Sequence, residues 1–298
     1  MKNVIPKSFI RIKKGENNGE IANQKTKNCN NEFIFLYKII DSDIKHKSHL
    51  DLNNGNCRYS DIITYQDNKV NLYSTKNYIN ASWIHMPLPF NFIATQGPMP
   101  HTIEDFWTMC YENNIEIIIM LCNLKENNVE KCADYWNFKN MKYFEVKRLN
   151  KSDEEGLVIR PLQLYNKMNK STLNIIQFQL IYWDDHNALS ESNFNKIIKL
   201  INSVDKYRKG KPAIVHCSAG VGRTGTFICM YNLYHEITQQ IFYDKESNEI
   251  VFSLFNLVRK IKEMRILSVE NQRQFALLYD FADYLLQKYN TKKNINTK

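Results

Sequence analysis

"PAIVHCSAGVGRTGTFICMYNLYHEI", residues 212–237, is the stretch that decides the fold. An apolar run ends at His216 and Cys217, a glycine-rich loop follows, and a helix-like stretch begins at Thr224. Strand, turn and helix in this order form one unit of a layered sheet, and further strand-like and helix-like runs occur along the chain. The sequence therefore predicts an α/β (α+β layered) domain with a central sheet.

The loop after the apolar run has the composition of an anion site. Glycines adopt backbone conformations closed to other residues, so this loop can direct several N–H groups into one concavity. The following helix adds its free N–H groups and the positive end of its dipole, and a planar guanidinium can grip two phosphate oxygens. We therefore expect a phosphoryl group to be bound by Arg223 and by the backbone amides of Ser218, Ala219, Gly220, Val221 and Gly222.

Cys217 lies within the same positive field. Cations and helix N-termini favour the thiolate form of a cysteine, so we expect Cys217 to be a nucleophile beneath the bound phosphate. Thr224 can donate a hydrogen bond to the sulfur, and we expect His216 to order the loop from behind rather than to act as the base. The alternative is a nucleotide-binding turn with an incidental cysteine. It is disfavoured because the P-loop lysine and the pattern G-x-G-x-x-G are absent.

Charge and cysteine content narrow the class of protein. The net charge of +9 can attract phosphorylated protein, nucleic acid or a membrane surface, or it can reflect a lysine-rich solvated surface. We favour the solvated surface and expect no nucleic-acid partner, because no nucleic-acid-binding motif accompanies the charge. The seven scattered cysteines contain no C-x-x-C pair, which argues against a disulfide framework and a metal site and predicts a reducing, cytoplasmic location. We also expect no transmembrane segment and no signal peptide.

The chain reads as one domain because it contains no Pro/Gly/Ser-rich linker and no internal repeat. We expect a flexible, basic N-terminal segment over 1–30, a domain over 31–289 and a tail over 290–298. Apolar periodicity predicts helices over 31–42, 102–114, 193–207, 224–237, 250–264 and 272–289. Strands are predicted over 116–121, 143–149, 157–165, 175–183 and 212–217.

The 216–226 loop matches the pattern H-C-x-x-G-x-x-R-[S/T] and closely resembles the active-site loop of the protein tyrosine phosphatases. That pattern is shared by tyrosine-specific, dual-specificity and lipid-directed members. The segment "NCRYSDI" (56–62) is similar to the phosphotyrosine-recognition loop of the tyrosine-specific branch, in which Tyr59 would stack on the substrate ring and Asp61 would bind the substrate backbone. The blocks at 78–84 and 92–107 resemble structural segments of the same branch.

The segment "YWDDHN" (182–187) is similar to the acid loop of that branch. Trp183 matches its hinge tryptophan, and Asp185 matches the aspartic acid that protonates the leaving tyrosyl oxygen. Asp184 stands in place of a proline and Asn187 in place of a glycine, which puts closure of this loop in doubt.

Two further blocks complete the resemblance. In "LKENNVEKCADYW" (124–136), Glu126 falls where the family's glutamate holds the loop arginine, and Lys131 would face the acid loop. In "RILSVENQRQFALLY" (265–279), Gln274 matches the family pattern, whereas Glu270 replaces the glutamine that positions the hydrolytic water. A carboxylate near phosphate costs electrostatic energy, so Glu270 either binds the water or points to solvent.

The resemblance covers roughly 31–287 and implies a single α/β domain with a twisted mixed sheet flanked by helices. It implies hydrolysis of phosphotyrosine in proteins through a cysteinyl-phosphate intermediate, without a metal or an organic cofactor. Asp184, Asn187 and Glu270 leave a second hypothesis open, a phosphotyrosine-binding protein that traps its substrate or traps itself as a phosphorylated intermediate. The Asn-, Lys- and Ile-rich composition also resembles the tyrosine phosphatases of bracoviruses of parasitoid wasps, which would act in the cytoplasm of a host cell.

Overall fold

The structure is a computed structural model that describes residues 9–16, 19–44, 55–86, 91–183 and 191–290. Within these ranges the strands are β1 (Ile10–Lys13), β2 (Ala81–His85), β3 (Asn91–Thr95), β4 (Ile117–Met120), β5 (Lys125–Glu126), β6 (Val129–Glu130), β7 (Phe144–Arg148), β8 (Ser152–Glu154), β9 (Leu157–Asn166), β10 (Ser171–Leu180), β11 (Ala213–His216) and β12 (Glu249–Phe252). The helices are α1 (Glu20–Ile44), α2 (Ile103–Glu112), α3 (Glu191–Arg208), α4 (Gly222–Phe242), α5 (Leu254–Met264) and α6 (Gln272–Leu285). A 3₁₀ turn precedes α2 (Pro100–Thr102), and a π-helical turn follows α6 (Leu286–Asn290).

The central sheet is mixed and has helices packed against it, as predicted. Its strand order is β2-β3-β11-β4-β10-β9-β7, with β8 paired to β9. β4 and β11 are buried along their whole length, which explains why both read as continuous apolar runs. α4 packs against β3 and β11, α3 against β4, and α5 against β2.

Parallel pairing places the candidate site at one edge of the sheet. β11 runs parallel to β3 and to β4, and β4 runs parallel to β10. The carboxyl ends of these four strands therefore lie at the same edge, where ligand sites of α/β sheets form. The segments that begin at residues 96, 121, 181 and 217 meet there, although they are far apart in the sequence.

The N-terminal segment contains regular structure that the sequence analysis did not predict. β1 pairs with β12, so that Ile10 lies opposite Phe252 and Ile12 opposite Ile250, and all four side chains are buried in the core. The predicted domain start at residue 31 falls inside α1, and 250–252 is a strand rather than the start of a helix. Four-residue strands are too short to show a period of two above chance, and their burial depends on pairing between distant segments.

The two ends of the described chain are joined through Asn290, which is buried. Its Oδ1 accepts a hydrogen bond from the backbone N–H of Gly15 at 2.9 Å, and its Nδ2 donates to the carbonyls of Lys13 (3.2 Å) and Glu16 (2.9 Å). Asn290, where the sequence analysis begins the tail, is therefore part of the fold. Residues 291–298 lie outside the described ranges.

Candidate active site

The loop between β11 and α4 holds the sulfur of Cys217 between two donors. The backbone N–H of Gly220 lies 3.3 Å from Sγ, and the hydroxyl of Thr224 lies 3.2 Å from it. Both groups donate hydrogen bonds to the sulfur and so fix its position in the loop. Cys217 is 4% exposed but lines an open cleft, so a small anion can reach the sulfur.

Close backbone approach explains two of the glycines around the loop. Gly220 has φ +71°, and a Cβ built on it would lie 2.1 Å from the carbonyl oxygen of Thr95. A Cβ on Gly97 would lie 2.7 Å from the carbonyl oxygen of Cys217. Neither position accepts a side chain without moving the backbone, so the packing of the loop onto the end of β3 requires glycine.

Several loop amides are available to a ligand. Among the described residues, the N–H groups of Ser218, Ala219, Val221 and Gly222 donate no hydrogen bond to the protein. α4 begins at Gly222, so its first turn also presents free N–H groups at this position. Amides and a helix N-terminus in one loop form an anion site.

Arg223 is held by a bidentate ion pair. Its Nη1 lies 2.7 Å from Oε1 of Glu126, its Nη2 lies 3.0 Å from Oε2, and Nη1 also donates to the carbonyl of Trp183 at 2.8 Å. Arg223 is 1% exposed, and the backbone N–H of Asn123 donates to the same carboxylate at 3.0 Å. This clamp sets the plane of the guanidinium, so the remaining edge of Arg223 can face the cleft.

The structure describes the first two residues of the predicted acid loop, Tyr182 and Trp183. Trp183 is buried and contacts Arg223 through its carbonyl, whereas Asp184, Asp185 and Asn187 lie outside the described residues. Lys131, which was expected to face that loop, is half-buried, and its backbone N–H donates to the carbonyl of Leu124 at 2.8 Å.

The phosphotyrosine-recognition segment lies beside the nucleophile loop. The hydroxyl of Tyr59 shares a 3.0 Å hydrogen bond with Oγ of Ser218. Arg58 ties the segment to the end of β3, because its backbone N–H donates to Oε1 of Gln96 at 2.8 Å and its Nε donates to the carbonyl of Gly97 at 3.2 Å. A small apolar cluster of Ile62, Ile63, Tyr65, Val221 and Ile266 joins this segment, the nucleophile loop and the segment after α5.

The resulting cleft has a volume of about 150 Å³. It is lined by Tyr59, Asp61, Ile62, Cys217, Ser218, Ala219, Gly222, Arg223 and Glu270. A polar cleft of this size, with a thiol and a guanidinium inside it and an aromatic ring at its side, fits an aryl phosphate.

Glu270 and Gln274 lie against the opposite side of the loop. A Cβ built on Gly222 would lie 2.7 Å from Oε2 of Glu270 and 2.8 Å from Nε2 of Gln274. The backbone N–H of Glu270 donates to Oε1 of Gln274 at 2.9 Å. Glu270 is exposed as a whole residue, but its carboxylate faces the loop and lines the cleft. The side chain therefore points toward the cleft and not toward bulk solvent.

His216 supports the loop from the interior. It is fully buried, its Nδ1 lies 3.2 Å from the carbonyl oxygen of Cys217, and its Nε2 lies 2.9 Å from the hydroxyl of Tyr135. Nε2 of Gln177 donates to the same hydroxyl at 2.5 Å. Burial lowers the pKa of His216 to about 4, so the imidazole is neutral at pH 7. In this geometry Nδ1–H donates to the carbonyl of Cys217 and Tyr135 donates to Nε2.

The sequence analysis did not assign a role to Arg265, which holds the loop from the other side. The guanidinium is fully buried, with Nε donating to the carbonyl of Gly220 at 2.7 Å and Nη2 to the carbonyl of Ala219 at 3.2 Å. Nη2 also donates to Oδ1 of Asn80 at 2.8 Å, and Nη1 donates to Oγ of Ser82 at 3.1 Å. Burial lowers the pKa of Arg265 to about 10, so it stays charged at neutral pH. The feature of the sequence that could have indicated this role is the position of Arg265 at the start of the family-like block 265–279.

Neither a membrane-spanning helix nor a cluster of metal ligands occurs among the described residues. No described helix combines the length and apolar character that a bilayer-spanning segment needs. No three side chains of His, Cys, Asp or Glu in the described ranges lie together as metal ligands.

Comparison with known sequences shows one family. The protein-tyrosine phosphatase model matches residues 53–284. Tyrosine-protein phosphatase non-receptor type 20 of Rattus norvegicus is 35% identical over 265 residues, which cover 86% of this chain and 60% of that protein. Human receptor-type tyrosine-protein phosphatase H is 31% identical, over 89% of this chain and 24% of that protein. This chain thus spans 60% or less of the length of these relatives.

Solved structures show the same fold. The catalytic domain of human protein tyrosine phosphatase non-receptor type 18 superposes with a TM-score of 0.77 at 23% identity, covering 90% of this chain and 99% of that one. A second structure of that phosphatase, in complex with HER2 phosphopeptides, superposes with a TM-score of 0.78, also at 23% identity, and covers 90% of this chain and 98% of that one.

Proposed function

This chain belongs to the protein-tyrosine phosphatase family, and from this premise we propose that it hydrolyses phosphotyrosine in proteins through a cysteinyl-phosphate. The observation that carries the proposal is the position of Cys217 Sγ, bonded to Gly220 N–H and Thr224 in a cleft that also contains Arg223. A thiol so placed is a nucleophile for a phosphoryl group bound by the loop.

The first chemical step transfers the phosphoryl group to the sulfur. The loop amides and Arg223 bind the three non-bridging oxygens and stabilise their charge in the transition state. The sulfur lone pair forms the S–P bond as the bond from phosphorus to the tyrosyl oxygen breaks. We propose from the sequence motif that Asp185, outside the described residues, donates the proton to that oxygen, a contribution of about 10²–10⁴-fold.

The second step returns the sulfur to its starting state. Water attacks the cysteinyl-phosphate, its proton passes to the carboxylate of Asp185, and inorganic phosphate leaves. Gln274 and Glu270 lie against Gly222 and are the side chains proposed to position the water. Thr224 Oγ1 donates to the departing thiolate.

The substrate class proposed here is tyrosine-phosphorylated protein. A cleft with Tyr59 at its side and Cys217 inside it suits an aromatic phosphate that enters phosphate-first, with its ring beside Tyr59. We also propose a cytoplasmic location, since all seven cysteines are free thiols and the nucleophile must stay reduced. The bracovirus resemblance stays a prediction.

Steady-state hydrolysis of p-nitrophenyl phosphate tests the proposal. Wild type should turn over many equivalents, and Cys217→Ser should lose at least about 10³-fold in kcat, because a hydroxyl is a far weaker nucleophile at neutral pH. Arg223→Lys keeps the charge but removes the fork, so kcat/KM should fall by about 10²-fold or more.

Two results would contradict this function. Unchanged turnover in Cys217→Ser would exclude the sulfur as nucleophile. A burst of one equivalent of nitrophenol without a steady state would replace hydrolysis by the trapping hypothesis.

A further inference from the structure

A second groove lies between α1 and α6, outside the catalytic cleft. Its volume is about 470 Å³. One face of each helix lines it, including Lys25, Cys29, Gln272, Ala276, Asp280 and Asp283. The α6 positions recur every three or four residues, so they form one continuous stripe along that helix.

The groove begins beside the catalytic cleft. Gln272, at one end of the stripe, is two residues from Glu270, which lines the cleft. α1 runs antiparallel to α6, because the ring of Phe33 packs 6.1 Å from that of Phe275 while Lys25 pairs with Asp280 further along. A chain leaving the cleft past Gln272 can therefore follow the groove toward Asp283.

The charge of the groove differs from that of the whole molecule. The charged residues among the described lining are Lys25, Asp280 and Asp283, whereas the chain as a whole carries +9. Nζ of Lys25 lies 2.5 Å from Oδ1 of Asp280, with the two side chains 35% and 46% exposed. Exposed ion pairs of this kind are weak in water, so a basic side chain of a ligand can compete with Lys25 for Asp280. Asp283 accepts a 2.8 Å hydrogen bond from Nε2 of Gln287.

We infer that this groove is a subsite for the substrate chain that flanks the phosphotyrosine, and that it selects a lysine or arginine in that chain. The inference rests on the proposed function. Asp280 lies eight residues beyond Gln272, which is about 12 Å along a helix at 1.5 Å per residue. An extended chain covers about 3.3 Å per residue, so the basic side chain belongs about four residues beyond the point where the substrate chain passes Gln272, and at least that far from the phosphotyrosine.

The test is a charge scan in phosphotyrosine peptides. Lysine replaces alanine at each position from six residues before to six residues after the phosphotyrosine, and kcat/KM is measured for wild type and for Asp280→Asn/Asp283→Asn. Wild type should prefer lysine about 5- to 20-fold at one or two positions between four and six residues from the phosphotyrosine, on one side of it only, mainly through KM. The preference should shrink with added salt, as exposed charges are screened, and fall below about twofold in the double variant.

The control variant is Glu249→Gln. Glu249 pairs with Arg11 at 3.2 Å and its side chain is 45% exposed, which matches Asp280 in exposure and pairing but lies in β12. This variant should keep the wild-type preference. Equal loss in Glu249→Gln and in the double variant would show a general charge effect and would overturn the inference.

p-Nitrophenyl phosphate separates the two proposals, since it cannot reach the groove. Normal turnover of this compound without any preference for lysine in peptides would overturn the groove inference and leave the proposed function standing. If wild type does not hydrolyse it, the peptide series is titrated against Cys217→Ser by calorimetry. A lysine-dependent gain in affinity that the double variant loses would then support the groove, and equal affinities would overturn it. Peptide-independent dimerisation through α1 and α6 in sedimentation would also overturn it.

Discussion

At the scale of single residues, Glu270 is the most consequential departure from the family pattern. Its carboxylate lies against Gly222 on the wall of the cleft that contains Arg223 and Cys217. A fixed negative charge there opposes both the substrate dianion and the thiolate. Oε1 of Gln274 accepts a hydrogen bond from the backbone N–H of Glu270, and Gln274 is the side chain that we propose orients the water in place of the missing glutamine.

Glu270→Gln should raise kcat/KM for p-nitrophenyl phosphate by roughly three- to tenfold at low salt, since one like charge is removed near the bound phosphate. The gain should shrink as ionic strength rises. Kinetics at several salt concentrations measure this. The control is Glu154→Gln. Glu154 lies in β8, and its exposed carboxylate pairs with Lys199, so this variant should leave kcat/KM unchanged. A fall in kcat for Glu270→Gln would show instead that the carboxylate activates the water.

At the scale of elements, the loop from β11 into α4 depends on support from three neighbours. Arg265 binds the carbonyls of Ala219 and Gly220, the end of β3 contacts Gly220, and the segment before α6 packs on Gly225. In that last segment Leu267 and Val269 have φ near +57° and +56°, which costs roughly 1–2 kcal/mol per residue. Backbone strain beside the nucleophile is tolerated because these surrounding contacts fix the loop.

Gly220→Ala tests this dependence, with Gly210→Ala as its matched control. Both glycines have φ above +70°, but a Cβ on Gly210 meets nothing within 4 Å, whereas a Cβ on Gly220 meets the carbonyl of Thr95 at 2.1 Å. Gly210→Ala should lose about 1 kcal/mol of unfolding free energy and keep its activity. Gly220→Ala should lose about 2–4 kcal/mol and most of kcat/KM. Urea unfolding and p-nitrophenyl phosphate kinetics measure both, and equal effects of the two variants would contradict this account.

At the scale of the whole molecule, two titratable groups, one buried and one partly buried, act on stability in opposite directions. Burial lowers the pKa of His216 to about 4 and raises the pKa of Glu236 to about 7. Because His216 is neutral in the folded protein, the free energy of unfolding falls as pH drops from about 6.5 to 4, where the unfolded chain binds the proton first. Because Glu236 is protonated more readily in the folded protein, the free energy of unfolding rises as pH drops from about 7 to 4.5, where the folded chain binds the proton first. The two contributions nearly offset each other between pH 4.5 and 6.5.

Glu236→Gln should therefore separate the two contributions. At pH 7.5 the variant should be more stable than wild type by about 1–2 kcal/mol, because it no longer buries a carboxylate. At pH 4.5 the difference should vanish, and the variant alone should lose stability steadily below pH 6.5. Urea midpoints at four pH values measure this. An equal gain at all pH values would show a packing effect and not a titration.

Features that depend on neighbouring residues could be predicted from the sequence, whereas features that depend on contacts between distant residues could not. The helices over 102–114, 193–207 and 272–289 were predicted because their apolar stripes extend over several turns, and α2, α3 and α6 occupy these places. β1 and β12 were missed because each has four residues and is buried only through the other. The role of Arg265 was missed because its partners at 80, 82, 219 and 220 are brought to it by the fold.

The sequence by itself determined the chemistry that we propose for this protein, since a cysteine, three glycines, an arginine and a threonine occur within residues 217–225 and act on one another through local backbone geometry. Only the tertiary structure decided how that chemistry is held and approached. Glu126 and Arg223 are 97 residues apart in sequence, and the carboxylate of Glu270 faces the cleft because α6 packs beside α4. The groove between α1 and α6 likewise exists only in the folded chain. Contacts between distant residues depend on strand order and helix packing, which result from burying the whole core together and which no short stretch of sequence contains.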